Sequence, residues 1–354
     1  MKRSHKCDCS DEDTGLFETD SFSVAIIGAG IAGLAAAVSL QKSGIRCKVF
    51  ERDISLDSRK EGYGLTLTNN PKGPLAYLGI LDECIQQDCP SVCHWVFRPD
   101  GAICGYYGRV FKEKWKQIHG ASQDSGKHID SAINTRGNLR IPRQNLRRML
   151  IEKLTPGTVQ WNMKIVNVED SGDMLLLAFE DGTVEPVHLL VGADGIHSTV
   201  RKVRDRLVIP RQAPLPVNIV REVESEKYLS GLKYLGVGVI LGISSADHPL
   251  LRNQGFYVID GINRLFTMPL KDLHATQMNA KYLTMWQLSF SDINEISALE
   301  LRRSSPLAIL AEARRRTADW FSAVIEMLTY SDPKDVWATP LYDRDQPILH
   351  SRSR

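Results

Sequence analysis

Short apolar runs alternate with turn residues along most of the chain. The β-branched run Val24–Ile27 is followed by three glycines and then by an alanine-rich stretch at 34–40, a pattern that indicates strand, turn and helix. A second apolar run at 46–50 follows a break at 42–44. Because parallel strands need a helical crossover, these segments together predict one βαβ unit.

The middle of the chain changes from helical to strand-like periodicity. Residues 143–154 carry their apolar side chains at helical spacing, which predicts a helix with arginines on its exposed face. The apolar segments 159–168, 174–179 and 184–191 predict a β-meander, with Asp181-Gly182 as one of its turns. A single helix is expected near 73–87, and irregular glycine-rich turns are expected around 101–108.

A Pro-interrupted stretch at 207–216 is interpreted as a domain boundary. Beyond it, several apolar runs predict strands of a second, mostly antiparallel sheet. These runs are 217–223, 235–242, 255–259, 264–268 and 282–290. Helices are expected to follow near 306–317 and 320–329.

Composition narrows the class of protein. The 354 residues correspond to about two domains, and 43% apolar with 24% charged residues is typical of a globular protein. A net charge of +2 is too balanced to favour a nucleic-acid partner. Seven cysteines, an odd number, do not indicate a disulfide framework, so we expect a cytoplasmic location.

No transmembrane segment is predicted, because the apolar stretch 24–40 is short for a membrane span and contains three glycines. The preceding residues 1–20 are acidic toward their end and are interpreted as a flexible tail instead of a targeting peptide.

The strongest chemical signal is the motif Gly28-Ala29-Gly30-Ile31-Ala32-Gly33, at the point where the predicted strand turns into the helix. In a dinucleotide-binding loop the first glycine permits the tight turn, the second lets a diphosphate approach the backbone, and the third lets helix pack on strand. Glu51 follows Gly28 by 23 residues, at the end of the second strand, where a carboxylate can accept hydrogen bonds from a ribose. This combination favours FAD or NAD as ligand, although the adjacent Arg52 could accept a 2′-phosphate.

Two further motifs extend this interpretation. The sequence Gly192-Ala193-Asp194-Gly195 follows an apolar strand and continues to Arg201 through the start of a predicted helix. Together with the glycine loop and Arg143-Gln144-Asn145-Leu146, it resembles the single-component FAD-dependent aromatic hydroxylases, which include the para-hydroxybenzoate and salicylate hydroxylases. From the residues alone, Asp194 and Ser198 would be a turn and a helix cap.

The resemblance implies a fold, a reaction and a set of binding residues. The implied fold class is α/β, with a Rossmann-like FAD-binding domain interleaved with a mostly antiparallel β-sheet substrate domain. The implied reaction uses NADPH or NADH and O2 to hydroxylate or epoxidise a small substrate, either an aromatic compound or an alkene. The residues predicted to bind the cofactor are Gly28, Gly30, Gly33, Glu51, Arg52, Arg143, Asp194 and Gly195.

The expected domain organisation follows from the same comparison. Residues 1–20 form the tail, 21–206 the FAD-binding domain with an inserted segment at about 60–135, 207–305 the substrate-binding sheet domain, and 306–354 a helical return toward a truncated FAD domain. Members of the hydroxylase group continue into a Gly-Asp-Ala-Ala-His segment, whereas the only Gly-Asp pair here, Gly172-Asp173, lies in a predicted hairpin. We therefore expect a truncated or degenerate relative.

Two other functions remain open at this stage. A catalytically inactive relative could act as a binding or regulatory protein, and Glu51 is also compatible with an NAD-dependent dehydrogenase. No catalytic acid or base is predicted, although His94, Tyr106 and His128 have suitable side chains. No metal site is predicted, because the clusters of Cys84, Cys89, Cys93 and His94 and of His5, Cys7 and Cys9 do not fit common zinc spacings. The oligomeric state is not predicted.

Overall fold

The computed structural model describes residues 22–58, 63–91, 93–108, 137–208, 232–271 and 282–344. Several predictions lie outside these residues: the tail at 1–20, the strand at 217–223, most of the boundary at 207–216, and His128.

The described residues form an α/β fold, which confirms the predicted fold class. The helices are α1 (Ile31–Lys42), α2 (Pro74–Leu78), α3 (Leu81–Gln87), α4 (Arg143–Glu152), α5 (Thr199–Val208), α6 (Glu295–Arg303), α7 (Pro306–Arg316) and α8 (Ser322–Thr329). The strands of the first half are β1 (Val24–Ile27), β2 (Cys47–Phe50), β3 (Gly64–Leu67), β4 (Cys93–Phe97), β5 (Ile103–Gly108), β6 (Leu139–Pro142), β7 (Val159–Gln160), β8 (Ile165–Asp170), β9 (Leu175–Phe179), β10 (Val184–Val187) and β11 (Leu189–Gly192). Those of the second half are β12 (Leu232–Ser244), β13 (Gln254–Ile259), β14 (Asn263–Lys271), β15 (Tyr282–Phe290) and β16 (Trp337–Arg344).

A parallel sheet with the strand order β11-β1-β2-β7 forms the base of the first half. Alternate residues of β1 point to opposite faces of the sheet, as the two-residue period of a strand requires. Ile26 packs into a core with α1 and α4, whereas Ala25 and Ile27 pack into a second core on the other face. Burial on both faces explains why this strand is a continuous apolar run.

The predicted meander is wrong at both of its ends. Its first segment divides into β7, which pairs with β2 in the parallel sheet, and β8, which pairs with β9. Its last segment divides at His188, whose backbone N–H donates to the Ser23 carbonyl at 3.0 Å, so that β11 pairs with β1. The remaining antiparallel sheet has the order β10-β9-β8.

The second half is built on a larger sheet with the order β16-β12-β15-β14-β13-β4-β5. Its strands are antiparallel except for β13 and β4, which pair in parallel. Side chains from one face pack with α7 and α8 around Trp286, which is fully buried. The expected glycine-rich turns at 101–108 are instead the edge strand β5, and residues 306–344 pack on this sheet.

The single helix expected at 73–87 is also wrong. Gly79 adopts a left-handed conformation with φ +76 and ends α2, after which Ile80 is buried and α3 begins at Leu81. Glycine is the residue that adopts this conformation without a steric cost. Within the described residues, none of the helices has both the length and the apolar composition that a membrane crossing requires.

A buried arginine fastens α7 to the large sheet. The Arg316 side chain is 6% exposed, its Nε donates to Glu312 Oε1 at 2.7 Å, and its Nη1 donates to Asp292. The guanidinium also lies over the Phe290 ring, 3.7 Å from the ring centroid. Because the guanidinium itself is buried, its removal breaks the hydrogen bonds to both carboxylates and the stacking on Phe290 together.

We expect Arg316→Met to lower the free energy of unfolding by about 2 kcal/mol, because the variant keeps the length of the side chain but loses its charged hydrogen bonds. The matched control is Arg315→Met, since the Arg315 side chain is 66% exposed and pairs with the same Glu312. Arg315→Met should change the free energy of unfolding by no more than about 0.5 kcal/mol. Urea unfolding of both variants measures the difference, and equal losses would contradict the role assigned to Arg316.

Candidate functional site

Three loops meet at one edge of the parallel sheet. They follow β1, β2 and β11, which are adjacent and parallel, so their carboxyl ends lie at the same edge. A cleft opens there between the loops and the first turn of α4. Of the residues predicted to bind the cofactor, those that line this cleft are Gly28, Gly30, Glu51, Arg52, Arg143, Asp194 and Gly195.

Two glycines of the loop are required by its own packing. Gly28 has φ +105, and a Cβ atom there would lie 2.6 Å from the Ala193 carbonyl oxygen. A Cβ atom at Gly33 would lie 2.0 Å from the Gly28 carbonyl oxygen. Gly33 does not line the cleft, so it acts behind the loop, where it lets α1 pack against the turn.

Gly30 has a different environment. It is the N-cap residue of α1 in an extended conformation, and the nearest atom that an added Cβ would meet is Arg143 Nη2 at 4.0 Å. Within the described ranges, no side chain caps this helix terminus. The first backbone N–H groups of a helix lack intrahelical acceptors and carry partial positive charge, so this end of the cleft is suited to an anion.

Glu51 is buried and binds the backbone on both sides of the cleft. Its Oε2 accepts a hydrogen bond from Ala29 N at 2.7 Å, and its Oε1 accepts one from Asp53 N at 3.0 Å. The carboxylate therefore fastens the glycine loop to the end of β2, a function that the sequence did not indicate. Each carboxylate oxygen has a further lone pair, so acceptance from a ligand hydroxyl remains possible.

Arg147 lines the cleft but was missed by sequence reasoning. Its side chain is 2% exposed, and its Nε donates to the Ala29 carbonyl oxygen at 2.9 Å. The available signal was its position four residues after Arg143, which places both arginines on one face of α4. The predicted amphipathic helix instead assigned its arginines to solvent. The Arg143 guanidinium lies over the Tyr63 ring, 5.7 Å from the centroid.

Asp194 combines a structural contact with an unused oxygen. Its Oδ2 accepts hydrogen bonds from Thr199 N at 2.7 Å and Val200 N at 3.2 Å, which caps α5. Ser198 Oγ adds a second cap by accepting from Arg201 N at 2.9 Å. Asp194 Oδ1 is buried and has no hydrogen-bond partner among the residues that the structure describes. An orphaned buried carboxylate oxygen is costly, and a ligand donor would satisfy it.

Several positive charges act on His197, a residue of the cleft lining. His197 lines the cleft, and its ring lies edge-on to Tyr342 with centroids 6.5 Å apart. Burial lowers the pKa of the His197 imidazole, and nearby positive charges lower it further. These charges belong, in decreasing order, to Arg302, Arg344, Arg52 and Lys202.

His94 and Tyr106, which have suitable side chains for acid–base chemistry, lie on the large sheet and do not line the cleft. His94 stacks against Tyr107 with centroids 5.0 Å apart, and burial lowers its pKa to about 4. Among the cysteines, burial raises the pKa of the Cys84 and Cys89 thiols to about 11, so both are protonated at neutral pH.

Comparisons of sequence and structure agree on one family. A family model for an FAD binding domain matches residues 21–223, more than half of the chain. The 2-heptyl-3-hydroxy-4(1H)-quinolone synthase of Pseudomonas aeruginosa is 32% identical over 181 residues, which are 51% of this chain and 41% of the synthase. The 3-amino-4-hydroxybenzoate 2-monooxygenase of Streptomyces cremeus is 30% identical over 201 residues, which are 55% of this chain and 45% of the monooxygenase.

Solved structures resemble the chain over most of its length. HpxO of Klebsiella pneumoniae, in complex with FAD and uric acid, has a TM-score of 0.66 at 19% identity and covers 93% of this chain and 70% of its own. The 2,6-dihydroxypyridine-3-hydroxylase of Arthrobacter nicotinovorans also has a TM-score of 0.66, at 17% identity, and covers 92% of this chain and 74% of its own. At such identities the likeness concerns the fold.

The matched family model includes the three loops that form the cleft, and the structural neighbours share both halves of the fold. The chain spans less than half the length of the two relatives that it matches in sequence. The match over residues 21–223 shows that this chain belongs to the family of FAD-binding domains found in FAD-dependent monooxygenases.

Proposed function

We propose that this protein is an FAD-dependent monooxygenase that uses NADPH or NADH and O2 to hydroxylate or epoxidise a small aromatic substrate. The observation that carries the proposal is the convergence of the uncapped N-terminus of α1, the glycine loop and the orphaned Asp194 oxygen on one cleft. The backbone N–H groups at the helix terminus suit the diphosphate of a dinucleotide. The unused oxygen of Asp194 suits a hydroxyl group of the same ligand.

The residues of the cleft fit FAD by two independent features. The open side of Gly30 lets a diphosphate approach the backbone of the loop beside the Arg143 guanidinium. Asp194 lines the same cleft, and its Oδ1 is an acceptor without a hydrogen-bond partner among the described residues. In this proposal Gly28 and Gly30 contact the diphosphate, and Glu51 accepts a hydrogen bond from the adenosine ribose. The other parts of FAD are held by Arg52, Arg143, Asp194 and Gly195.

When bound, FAD supplies the electron-transfer and oxygen chemistry that side chains cannot perform. The side chains of this protein bind and orient the cofactor and keep water away from the reacting atoms. Glu51 and Arg147 hold the glycine loop through Ala29, so the shape of the cleft is set before the cofactor arrives. We assign no side chain as catalytic acid or base.

The names of the relatives support an aromatic substrate. They refer to a quinolone, to 3-amino-4-hydroxybenzoate and to 2,6-dihydroxypyridine, and one structural neighbour was solved with uric acid. We propose that the large sheet contributes the substrate site, because His94, Tyr107 and Phe266 stack along one of its faces. Such a surface suits a planar ring.

The test is binding of FAD followed by turnover. We expect the purified full chain to bind one equivalent of FAD, measured by quenching of flavin fluorescence, with micromolar or tighter affinity. With FAD bound, oxidation of NADPH or NADH should accelerate in the presence of hydroxylated aromatic compounds. Flavin binding without stimulated oxidation would favour a binding or regulatory protein, and stoichiometric NAD⁺ binding without flavin would favour a dehydrogenase; either result contradicts the proposal.

A further inference from the structure

We propose that Arg147 is a positioning residue for the cofactor. It acts through the peptide group between Ala29 and Gly30 and sets the direction of the Gly30 N–H, which we assign to the diphosphate. The inference rests on the proposed function, because it names the residue that prepares the glycine loop for FAD.

The backbone N–H groups of the glycine loop are not all available to a ligand. Gly28 N donates to the Phe50 carbonyl oxygen at 2.8 Å, and Ala29 N donates to Glu51 Oε2 at 2.7 Å. The next N–H, that of Gly30, has no acceptor among the described residues, and Gly30 lines the cleft. It is therefore the first donor of the loop that remains for an anion.

Arg147 holds the other end of the same peptide group. Its Nε donates to the Ala29 carbonyl oxygen at 2.9 Å. A peptide group is planar, and in its trans form the carbonyl and the N–H point in opposite directions. The described residues contain no cis peptide bond. Because the Ala29 carbonyl and the Gly30 N–H belong to one plane, the bond from Arg147 fixes the direction of both.

The Arg147 side chain is itself held in place. It is 2% exposed, and its Nη1 donates to Gln144 Oε1 at 2.8 Å. Both residues lie on α4, which packs against α1 through a shared core that includes Met149 and Leu150. A buried donor anchored to a neighbouring helix cannot follow a rotation of the loop, so it favours one orientation of the peptide group.

The alternative is that a buried cation in the cleft lining attracts the diphosphate by its charge alone. The hydrogen bond to Ala29 favours positioning, since it directs Nε at the backbone of the loop. Two substitutions separate these roles. Glutamine carries an amide N–H at the same distance from the backbone as arginine Nε but has no charge, whereas methionine has neither the donor nor the charge.

We expect Arg147→Met to weaken FAD binding about tenfold and Arg147→Gln to weaken it no more than about twofold. The loss should lie in the association rate, because FAD binds only those molecules in which the loop has the correct orientation. Stopped-flow quenching of flavin fluorescence on the full chain gives both rates. The matched control is Arg148→Met on the same helix, whose side chain is 44% exposed and pairs with Asp57. It should change the affinity less than twofold.

A second measurement uses the ligand-free full chain labelled with ¹⁵N-glycine. The amide signal of Gly30 is identified by its absence from the spectrum of Gly30→Val. We expect this signal to shift in Arg147→Met and to keep its position in Arg147→Gln and Arg148→Met. A side chain that only contributes to overall stability would not produce this pattern.

Equal losses of affinity in Arg147→Met and Arg147→Gln would overturn the inference, since the charge alone would then act. A loss confined to the dissociation rate, or an unchanged Gly30 signal in Arg147→Met, would overturn it as well. If Arg147→Met does not fold, Gln144→Met releases Nη1 and should give the same pattern at about threefold. Unchanged affinity with an unchanged Gly30 signal in that variant would contradict the proposal.

Failure of the proposed function has a different signature. In that case the unsubstituted chain would not bind FAD. The spectra of the ligand-free chain would still decide whether Arg147 orients the peptide group.

Discussion

Gly30→Val is expected to weaken FAD binding about a hundredfold while the protein stays folded. Gly30 has an extended conformation that valine can adopt, and among the described residues only Arg143 Nη2, at 4.0 Å, lies near the position of an added Cβ. The added methyl groups would occupy the space through which a diphosphate approaches the loop. Quenching of flavin fluorescence measures the affinity, and circular dichroism with thermal unfolding measures the fold.

The control is Gly33→Ala, in which a Cβ atom would lie 2.0 Å from the Gly28 carbonyl oxygen. Because backbone must move to accept it, we expect this variant to lose about 1–3 kcal/mol of stability. Its FAD affinity would fall only through distortion of the loop. If Gly30→Val bound FAD with unchanged affinity, the diphosphate would not approach Gly30, and the proposed position of the cofactor would be wrong.

Asp194→Ala is expected to weaken FAD binding about thirtyfold and to lower the free energy of unfolding by about 1–2 kcal/mol. The first effect follows from loss of the buried Oδ1, since a hydrogen bond to a charged group contributes about 2 kcal/mol. The second effect follows from loss of the cap that Oδ2 provides to Thr199 N and Val200 N.

Ser198→Ala separates the two effects. It removes the other cap of α5, the hydrogen bond from Arg201 N to Ser198 Oγ, but no group directed into the cleft. We expect a comparable loss of stability, about 1 kcal/mol, with FAD affinity changed less than twofold. If both variants weakened FAD binding equally, Asp194 would act only by ordering α5, and the direct contact would be excluded.

Local sequence patterns were sufficient to predict the glycine loop and most of the secondary structure. The run Val24–Ile27, the glycines after it and the helix α1 follow from neighbouring residues, because each element is specified by its own periodicity and turn residues. The helix α4 and the strands β13, β14 and β15 also follow the predicted segments closely. The assignment of the three motifs to one cofactor came from the resemblance to the aromatic hydroxylases.

Pairings between distant segments could not be predicted in the same way. The strand β4 joins β13 across about 160 residues, and His188 directs β11 to β1 through a bond to Ser23. A short apolar run has the same appearance in the sequence whichever strand it pairs with. For this reason the predicted meander and the turns at 101–108 were wrong.

The sequence by itself determined the glycine turn, the acidic residue after the second strand and the α/β class, since each depends on contacts within a few residues or on a regular period. Only the tertiary structure decided that Arg147 is buried against Ala29 and that, within the described part of the chain, one oxygen of Asp194 is left without a hydrogen-bond partner. These features depend on which segments the folded chain brings together. Burial and electrostatic environment are properties of that assembly and not of any local stretch of residues.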